Sequence, residues 1–230
     1  MSAVDRAARH AGAAQAALAA GEHRTALEAA RAAVRLRPSD PDLLCLLAVA
    51  LFEAGEHPLA QEAADRAVAL GQGNVSTRVR ARYNRAVLLR RIGDAAGACR
   101  ALEELLELSP DHPRARIELA QALAALGDFS RAVTELSEHV RQWPADRIAW
   151  RDHAIFAERA GKWQTAAAAW QAVLALDGTD DEARLRLCAV QAELSGITPE
   201  ELDGLRSDHP RLAHAIERAV AHAGRGCLRL

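Results

Sequence analysis

Residues 86–110 read AVLLRRIGDAAGACRALEELLELSP, and this stretch decides the fold. Ala86 is followed after seven residues by Gly93, after five more by Ala98, and after a further twelve by Pro110. Gly can end a helix in the left-handed conformation that a Cβ disfavours, and Pro stops the helix that follows. The Ala side chains are small enough for two helices to approach closely. The stretch therefore predicts a helix, a tight turn and a second helix packed on the first.

The same set of residues recurs along the chain. The recurrences are Ala14–Gly21–Ala26–Pro38, Ala48–Gly55–Ala60, Ala120–Gly127–Ala132–Pro144 and Ala154–Gly161–Ala166. Successive Gly residues lie 34, 38, 34 and 34 positions apart. Two repeats have Gln72 and Gly178 in place of the Pro, and residues 75–78 are an insertion of about one helical turn. A fixed period of about 34 predicts an array of helix-turn-helix repeats.

This pattern resembles the tetratricopeptide repeat, in which small residues, Gly and Pro recur at these places with the same period. Aligned on it, the repeats span 7–40, 41–74, 79–112, 113–146 and 147–180, with a degenerate partial repeat at 181–195. The resemblance implies an all-α, right-handed superhelical solenoid of antiparallel helix pairs. The chain departs from the family in lacking most of its aromatic residues, and Trp150 is the only Trp at the fourth repeat position.

The pattern also predicts where individual helices begin and end. They are expected at 3–20, 23–37, 41–54, 57–70, 94–108, 113–126, 129–142, 147–160 and 163–176. Ser76 is predicted to cap a lengthened helix that runs to about Ile92. Residues 1–195 are predicted to form the repeat array, and residues 196–230 to form capping helices, near 199–206 and 210–223, and a tail.

Composition narrows the class of protein. Half of the residues are hydrophobic, only 3% are aromatic, and Ala is abundant, which favours closely packed helices. The net charge of −2 predicts neither a nucleic-acid partner nor an anionic membrane surface. Lys162 is the only Lys, so an abundance of Arg is a property of the whole chain. No alternating run of β-branched and aromatic residues predicts a strand.

The sequence predicts a cytoplasmic protein. Asp5, Arg6 and Arg9 interrupt the N-terminal stretch, which argues against a secretory signal. No run of about 18 apolar residues predicts a transmembrane helix. The four cysteines are scattered without metal-site or disulfide-framework spacing, and we expect reduced, mostly buried thiols.

By the resemblance, the first helices of the pairs line a concave groove, with the second, fifth, ninth, twelfth and thirteenth positions of each repeat facing it. The predicted partner-binding residues are Arg80, Tyr83, Asn84, Val87, Arg90, Arg91, Arg114, Gln121, Arg151 and Ile155; Ile117, Glu158 and Arg159 share such positions. One interpretation is a basic groove for an acidic or C-terminal peptide, held by Arg side chains. The other is a solvated polar face in an Arg-rich protein.

One subfamily of these repeats grips the C-terminal carboxylate of chaperones with a five-residue clamp. The corresponding residues here are Cys45, Val49, Asn84, Arg114 and Glu118. Only Asn84 matches, Arg114 keeps the charge, and Glu118 places a negative charge where the ligand's carboxylate would lie. The sequence therefore argues against that clamp.

The sequence signals for other kinds of functional site are weaker. Trp150, Trp163 and Trp170 are predicted to pack between helices, whereas Trp143 is left open between packing and partner binding. The nine His residues show no structural-zinc spacing, so no metal is predicted. The chain has neither a Gly-x-Ser-x-Gly nucleophile elbow nor a Gly-x-x-x-x-Gly-Lys phosphate loop.

These observations predict a protein-interaction adaptor or scaffold, with no enzymatic activity and no cofactor, that binds a peptide or helix of another protein in its groove. The alternative is a regulatory or targeting subunit of a separate enzyme or assembly, which docks through the C-terminal helices. Self-association through terminal helices is compatible with both. The sequence does not identify the partner.

Overall fold

A computed structural model of the chain describes residues 2–195, Gly204 and Ser207. These residues form helices and turns, and they contain no strand. The chain divides into two compact units, residues 1–122 and 123–230. The predicted capping helices and the tail within 196–230, and Cys227, lie outside the described residues.

The first unit consists of consecutive helix pairs. Its helices are α1 (Ala3–Ala19), α2 (His23–Leu36), α3 (Pro41–Glu53), α4 (His57–Leu70), α5 (Val75–Ile92) and α6 (Ala95–Leu108), followed by α7 (Ala115–Ala125), within which the boundary between the units falls. The first helices α1, α3 and α5 each pack on their own second helix, and the second helices α2 and α4 each pack on the next first helix. The first helices α1, α3 and α5 also contact one another in order.

The second unit repeats the arrangement after the end of α7. Its helices are α8 (Phe129–Gln142), α9 (Arg147–Arg159), α10 (Trp163–Leu176) and α11 (Asp181–Ser195). Its core holds Trp170, Val173 and Val190, all fully or almost fully buried. The predicted and observed helices agree to within about two residues at each end, because each boundary carries its own local stop or cap.

The turns within the pairs have the predicted conformation. All five repeat Gly residues have positive φ, from 68° at Gly161 to 100° at Gly93. At Gly93 the turn is closed by two backbone hydrogen bonds, from the Gly93 amide to the Arg90 carbonyl (3.0 Å) and from the Asp94 amide to the Leu89 carbonyl (2.9 Å). This geometry satisfies carbonyls at the helix end and reverses the chain direction.

The small residues on either side of each turn are buried, as predicted. The set is Ala14, Ala26, Ala48, Ala60, Ala86, Ala98, Ala120, Ala132, Ala154 and Ala166, none of them more than 3% exposed. In the first unit, Ala14, Ala26, Ala48 and Ala60 belong to one core cluster. The pairs are therefore held at a helix separation that only small side chains permit.

The insertion at 75–78 becomes an additional N-terminal turn of α5, which has 18 residues where α3 and α9 have 13. A short 3-10 turn, Gly71–Gly73, precedes it. The prediction that Ser76 caps this helix is wrong. Asn74 is the cap: its backbone is extended, and its side-chain oxygen accepts a hydrogen bond from the Ser76 amide at 2.8 Å.

Cys45, Cys99 and Cys188 are free and buried, as expected. No helix among the described residues is long and apolar enough to cross a membrane.

We predict that Ala98→Leu lowers the free energy of unfolding by about 1–3 kcal/mol, because a larger side chain at this fully buried contact forces the helices apart. Urea denaturation followed by circular dichroism measures the change. Ala96→Leu is the matched control, since Ala96 lies exposed on the same helix and should change stability by less than about 0.5 kcal/mol. Equal effects of the two substitutions would show that the close contact does not limit packing.

Candidate functional site

The first helices of the first unit enclose a cavity of about 400 Å³ that opens to solvent. We call it the first-helix groove. It is lined by Gln15 of α1, by Asp42, Cys45, Leu46 and Val49 of α3, and by Arg80 and Asn84 of α5. Polar and apolar side chains thus face the same space.

Sequence reasoning identified only part of this groove. Arg80 and Asn84 were predicted binding residues, but Gln15, Asp42 and Leu46 were missed. Asp42 and Gln15 occupy the second and ninth positions of their repeats, which the resemblance had already assigned to the groove. The third repeat has several Arg residues at its groove positions. The groove positions of the first two repeats carry little charge, so they give a weaker signal in the sequence.

Charge in the groove is internally balanced. The Arg80 guanidinium donates to the Asp42 carboxylate, and both side chains are about half exposed, at 52% and 51%. The Cys45 thiol hydrogen-bonds with the Asn84 side chain, and burial raises the pKa of Cys45. The thiol therefore stays protonated at neutral pH. Val49 is 37% exposed and gives the groove an accessible apolar wall.

A second set of predicted residues lies on α5 and in the turn just before α7. The Tyr83 oxygen accepts a hydrogen bond from Arg114, and its ring lies 4.8 Å from that of His112. Burial, with Glu118 nearby, raises the pKa of Tyr83, so its hydroxyl is neutral at physiological pH. The described residues place no carboxylate within ion-pair distance of Arg114, which is exposed.

The remaining predicted arginines of α5 are neutralised by neighbouring first helices. Arg90 donates to Glu118 of α7 at 2.7 Å, and Arg91 pairs with Glu53 of α3 at 2.8 Å. Arg91 also lies over the Phe52 ring, 4.2 Å from its centroid. Val87 and Gln121 are half-buried. The sequence showed the positive charges, but it did not show the carboxylates opposite them.

The second unit has the same kind of pairing. Arg151 of α9 donates to Glu182 of α11, and Arg186 of α11 donates to Glu158 at 3.1 Å. Glu158 also accepts a hydrogen bond of 2.6 Å from the Trp170 indole. Ile155 is half-buried and packs against the core of this unit. Of the predicted residues here, Arg151 is bound within the chain and Ile155 contributes to packing.

The tryptophans are accounted for largely by packing. Trp170 is fully buried, and Trp150 and Trp163 pack against the same core as predicted. Trp150 also donates to the Pro144 carbonyl at 2.9 Å. Trp143, which the sequence left open, stacks on His139 with 4.8 Å between ring centroids.

Two histidines of the second unit are buried polar groups. His139 hydrogen-bonds through Nε2 to the Asp146 carboxylate at 3.0 Å. The Ser137 hydroxyl donates to the Val133 carbonyl, so the Nε2–H of His153 must donate to the Ser137 oxygen, 3.0 Å away. Within the part of the chain that the structure describes, no group of three or more His, Cys, Asp or Glu side chains could hold a metal ion.

The fold defines a helical repeat protein, with the first-helix groove between its first helices. Two models of the tetratricopeptide repeat match residues 12–75 and 90–152, and together they cover more than half of the chain. The chain belongs to the tetratricopeptide repeat family. Repeats of this family are protein-interaction modules.

Solved structures are similar in fold. PilF of Pseudomonas aeruginosa has a TM-score of 0.73 and 17% identity, over 97% of this chain and 99% of that one. MamA of Desulfovibrio magneticus RS-1 has a TM-score of 0.64 and 21% identity, over 77% and 98%. YrrB, described as a repeat protein with an unusual peptide-binding site, has a TM-score of 0.57 and 16% identity, over 74% and 86%. Among the curated proteins, none matches this chain.

We predict that stability falls in acid because of His153. Burial, and then the charge of Lys162, lower its pKa from 6.5 to about 4. Between these values the unfolded chain binds the proton and the folded chain does not. The free energy of unfolding should therefore fall by about 1.4 kcal/mol per pH unit through this group as the pH drops from 6.5 towards 4.

Urea denaturation between pH 7 and pH 5 measures this slope. His153→Gln keeps a donor for Ser137 but does not titrate, so we expect a flatter profile. His23→Gln removes an exposed histidine and should keep the wild-type slope. Parallel profiles for wild type and His153→Gln would contradict the assignment.

Proposed function

We propose that this protein is an adaptor that binds a peptide or helix of another protein in the first-helix groove. The observation that carries the proposal is the cavity itself, where seven side chains from three successive first helices converge on one space. Within the described residues it joins predicted binding residues, Arg80 and Asn84, to an apolar wall. Preformed surfaces of this kind gain affinity from many modest contacts because little ordering is needed on binding.

The chemistry of the groove favours a ligand with an apolar side chain and free main-chain amides. Val49 and Leu46 offer apolar contact, while Asn84 and Gln15 have amides that both donate and accept hydrogen bonds. The Arg80–Asp42 pair offers one charge of each sign, so it does not select strongly for ligand charge.

The expected preference for an acidic ligand depends on Arg114. The guanidinium groups of Arg80, Arg90 and Arg91 already have carboxylate partners, which a ligand would have to displace. The Arg114 side chain hydrogen-bonds to the neutral Tyr83 hydroxyl and forms no ion pair among the described residues, so its charge is available. We propose that an acidic residue of the ligand pairs with Arg114.

The docking alternative, in which the protein is a regulatory or targeting subunit, concerns residues 196–230 and stays a prediction. A variant ending at residue 195 separates it from the groove proposal. Binding that is lost only in this variant, and kept when the groove is altered, would place the interaction on the C-terminal residues.

We predict that Val49→Arg weakens binding of a peptide selected on the wild-type protein at least tenfold, about 1.4 kcal/mol, because the long charged side chain fills the groove. The peptide is selected from a displayed random library, and affinity is measured by fluorescence polarisation. The matched control is Leu59→Arg, since Leu59 is similarly exposed (47%, against 37% for Val49) but lies on a second helix. Unchanged affinity for Val49→Arg, with both proteins folded, would refute groove binding.

We also predict that Arg114→Gln weakens binding of a selected acidic peptide several-fold more than it weakens binding of the same peptide with its acids amidated. The physical reason is loss of one exposed ion pair, worth up to about 1 kcal/mol. Arg100→Gln is the control, because Arg100 is exposed on a second helix. If both peptides respond equally to Arg114→Gln, the acidic preference is wrong, whereas groove binding is untouched.

A further inference from the structure

Two arginines at the start of α5 are not accounted for by the groove. Arg78 and Arg82 are half-buried, and the described residues provide neither of their guanidinium groups with a hydrogen bond or an ion pair. The Nε atom of Arg78 and the Nη1 atom of Arg82 are fully buried without an acceptor in the described structure. Other arginines without a partner there, such as Arg35 and Arg66, are exposed, where water satisfies their donors.

Arg78 and Arg82 differ in this respect from the other arginines of α5. The other arginines of this helix each have a carboxylate partner: Arg80 with Asp42, Arg85 with Asp65, Arg90 with Glu118, and Arg91 with Glu53. The half-buried arginines elsewhere in the described residues each have at least one partner, although the Nε atom of Arg116 is also buried without an acceptor. A buried guanidinium donor without an acceptor is unfavourable, because it has given up water and gained nothing in return.

The positions of Arg78 and Arg82 add two further unfavourable contributions to the free energy of the folded state. Arg78 and Arg82 are four residues apart, so their like charges lie on one face of the helix and repel each other. Arg78 also stands near the N-terminus of α5, where the helix dipole is positive, and the first turn contains no acidic residue. A bound anion would reduce the repulsion and interact favourably with the positive end of the helix dipole, and its oxygens would accept hydrogen bonds from the guanidinium donors that are not buried.

The pairing of Arg78 with Arg82 on one face of α5 depends on the insertion at residues 75–78. Arg78 belongs to residues 75–78, the additional turn that the regular repeat lacks, and without it Arg82 would have only Arg85, which is paired with Asp65, one turn away. The backbone of the preceding 3-10 turn lies close: a Cβ placed on Gly71 would be 3.7 Å from the Arg78 Cα. The junction between the second and third repeats thus lies against the start of α5.

We propose that Arg78 and Arg82 form an oxyanion-binding site, suited to a phosphate group whose several acceptor oxygens can take hydrogen bonds from both guanidinium forks. The site is separate from the first-helix groove and does not depend on peptide binding there. The phosphate can be free or carried on a partner's side chain, and the two sources share the same chemistry.

The test is calorimetric titration of the full-length protein with inorganic phosphate at constant ionic strength maintained with sodium chloride. We expect saturable binding with a dissociation constant on the order of 1 mM, as for a small anion held by a few charge-assisted hydrogen bonds. R78Q/R82Q should bind at least tenfold more weakly. R35Q/R66Q removes the same charge from exposed positions and should bind as the wild type does.

The R78K/R82K variant keeps both charges but loses the planar forks, and we expect it to bind several-fold more weakly than wild type. Circular dichroism checks that all variants keep their helicity. Titration with O-phosphoserine distinguishes the sources: tighter binding than phosphate indicates a phosphorylated segment, and equal binding indicates the free ion. The proposal is overturned if wild type shows no saturable phosphate binding, which needs no variant, or if R35Q/R66Q and R78Q/R82Q lose it equally.

Discussion

The close contact between the two helices of each pair is the constraint on which the structure depends. It needs small residues on both helices and a turn that only Gly makes without strain, and the chain supplies both in each of five repeats. Once this contact is fixed, the rotation of every first helix about its axis is fixed as well. Within the first unit, the same repeat positions therefore face the same side, and in the first three repeats those positions line the first-helix groove.

Ion pairs form between neighbouring first helices as well as within single helices. Carboxylates on one first helix meet arginines on the next, as in Asp42 with Arg80 and Glu118 with Arg90. Because most of these pairs are partly exposed, each contributes little to stability. They leave the first-helix groove with balanced charges, since Asp42 lies opposite Arg80. The arginines without a carboxylate partner among the described residues include Arg78, Arg82 and Arg114.

The insertion at residues 75–78, which forms the first turn of α5, shows how a repeat array acquires a feature that its regular repeats lack. An added turn keeps the helix phase nearly unchanged, so the packing of Ala81 and Ala86 is preserved. The added residues bring an extra arginine, and the described residues supply no carboxylate to match it. A departure from the repeat pattern thus coincides with unsatisfied buried donors, and this coincidence distinguishes Arg78 and Arg82 from the other arginines of the helix.

The sequence by itself determined the repeat period, the helix boundaries to within about two residues, and the buried small residues. These follow from local rules, because a turn needs Gly and a close contact needs Ala within the same 34-residue unit. Even so, local reasoning chose Ser76 as the cap of α5 where Asn74 serves, since both residues cap helices well and only the backbone conformation selects between them.

Only the tertiary structure decided which charges are available. Asp42 and Arg80 are 38 residues apart and Arg90 and Glu118 are 28 apart, so no pattern within one helix could join them. The same holds for the first-helix groove, which gathers Gln15, Val49 and Asn84 from three repeats. The period can state that such positions share a face, but the pairing of side chains depends on distances that packing alone sets.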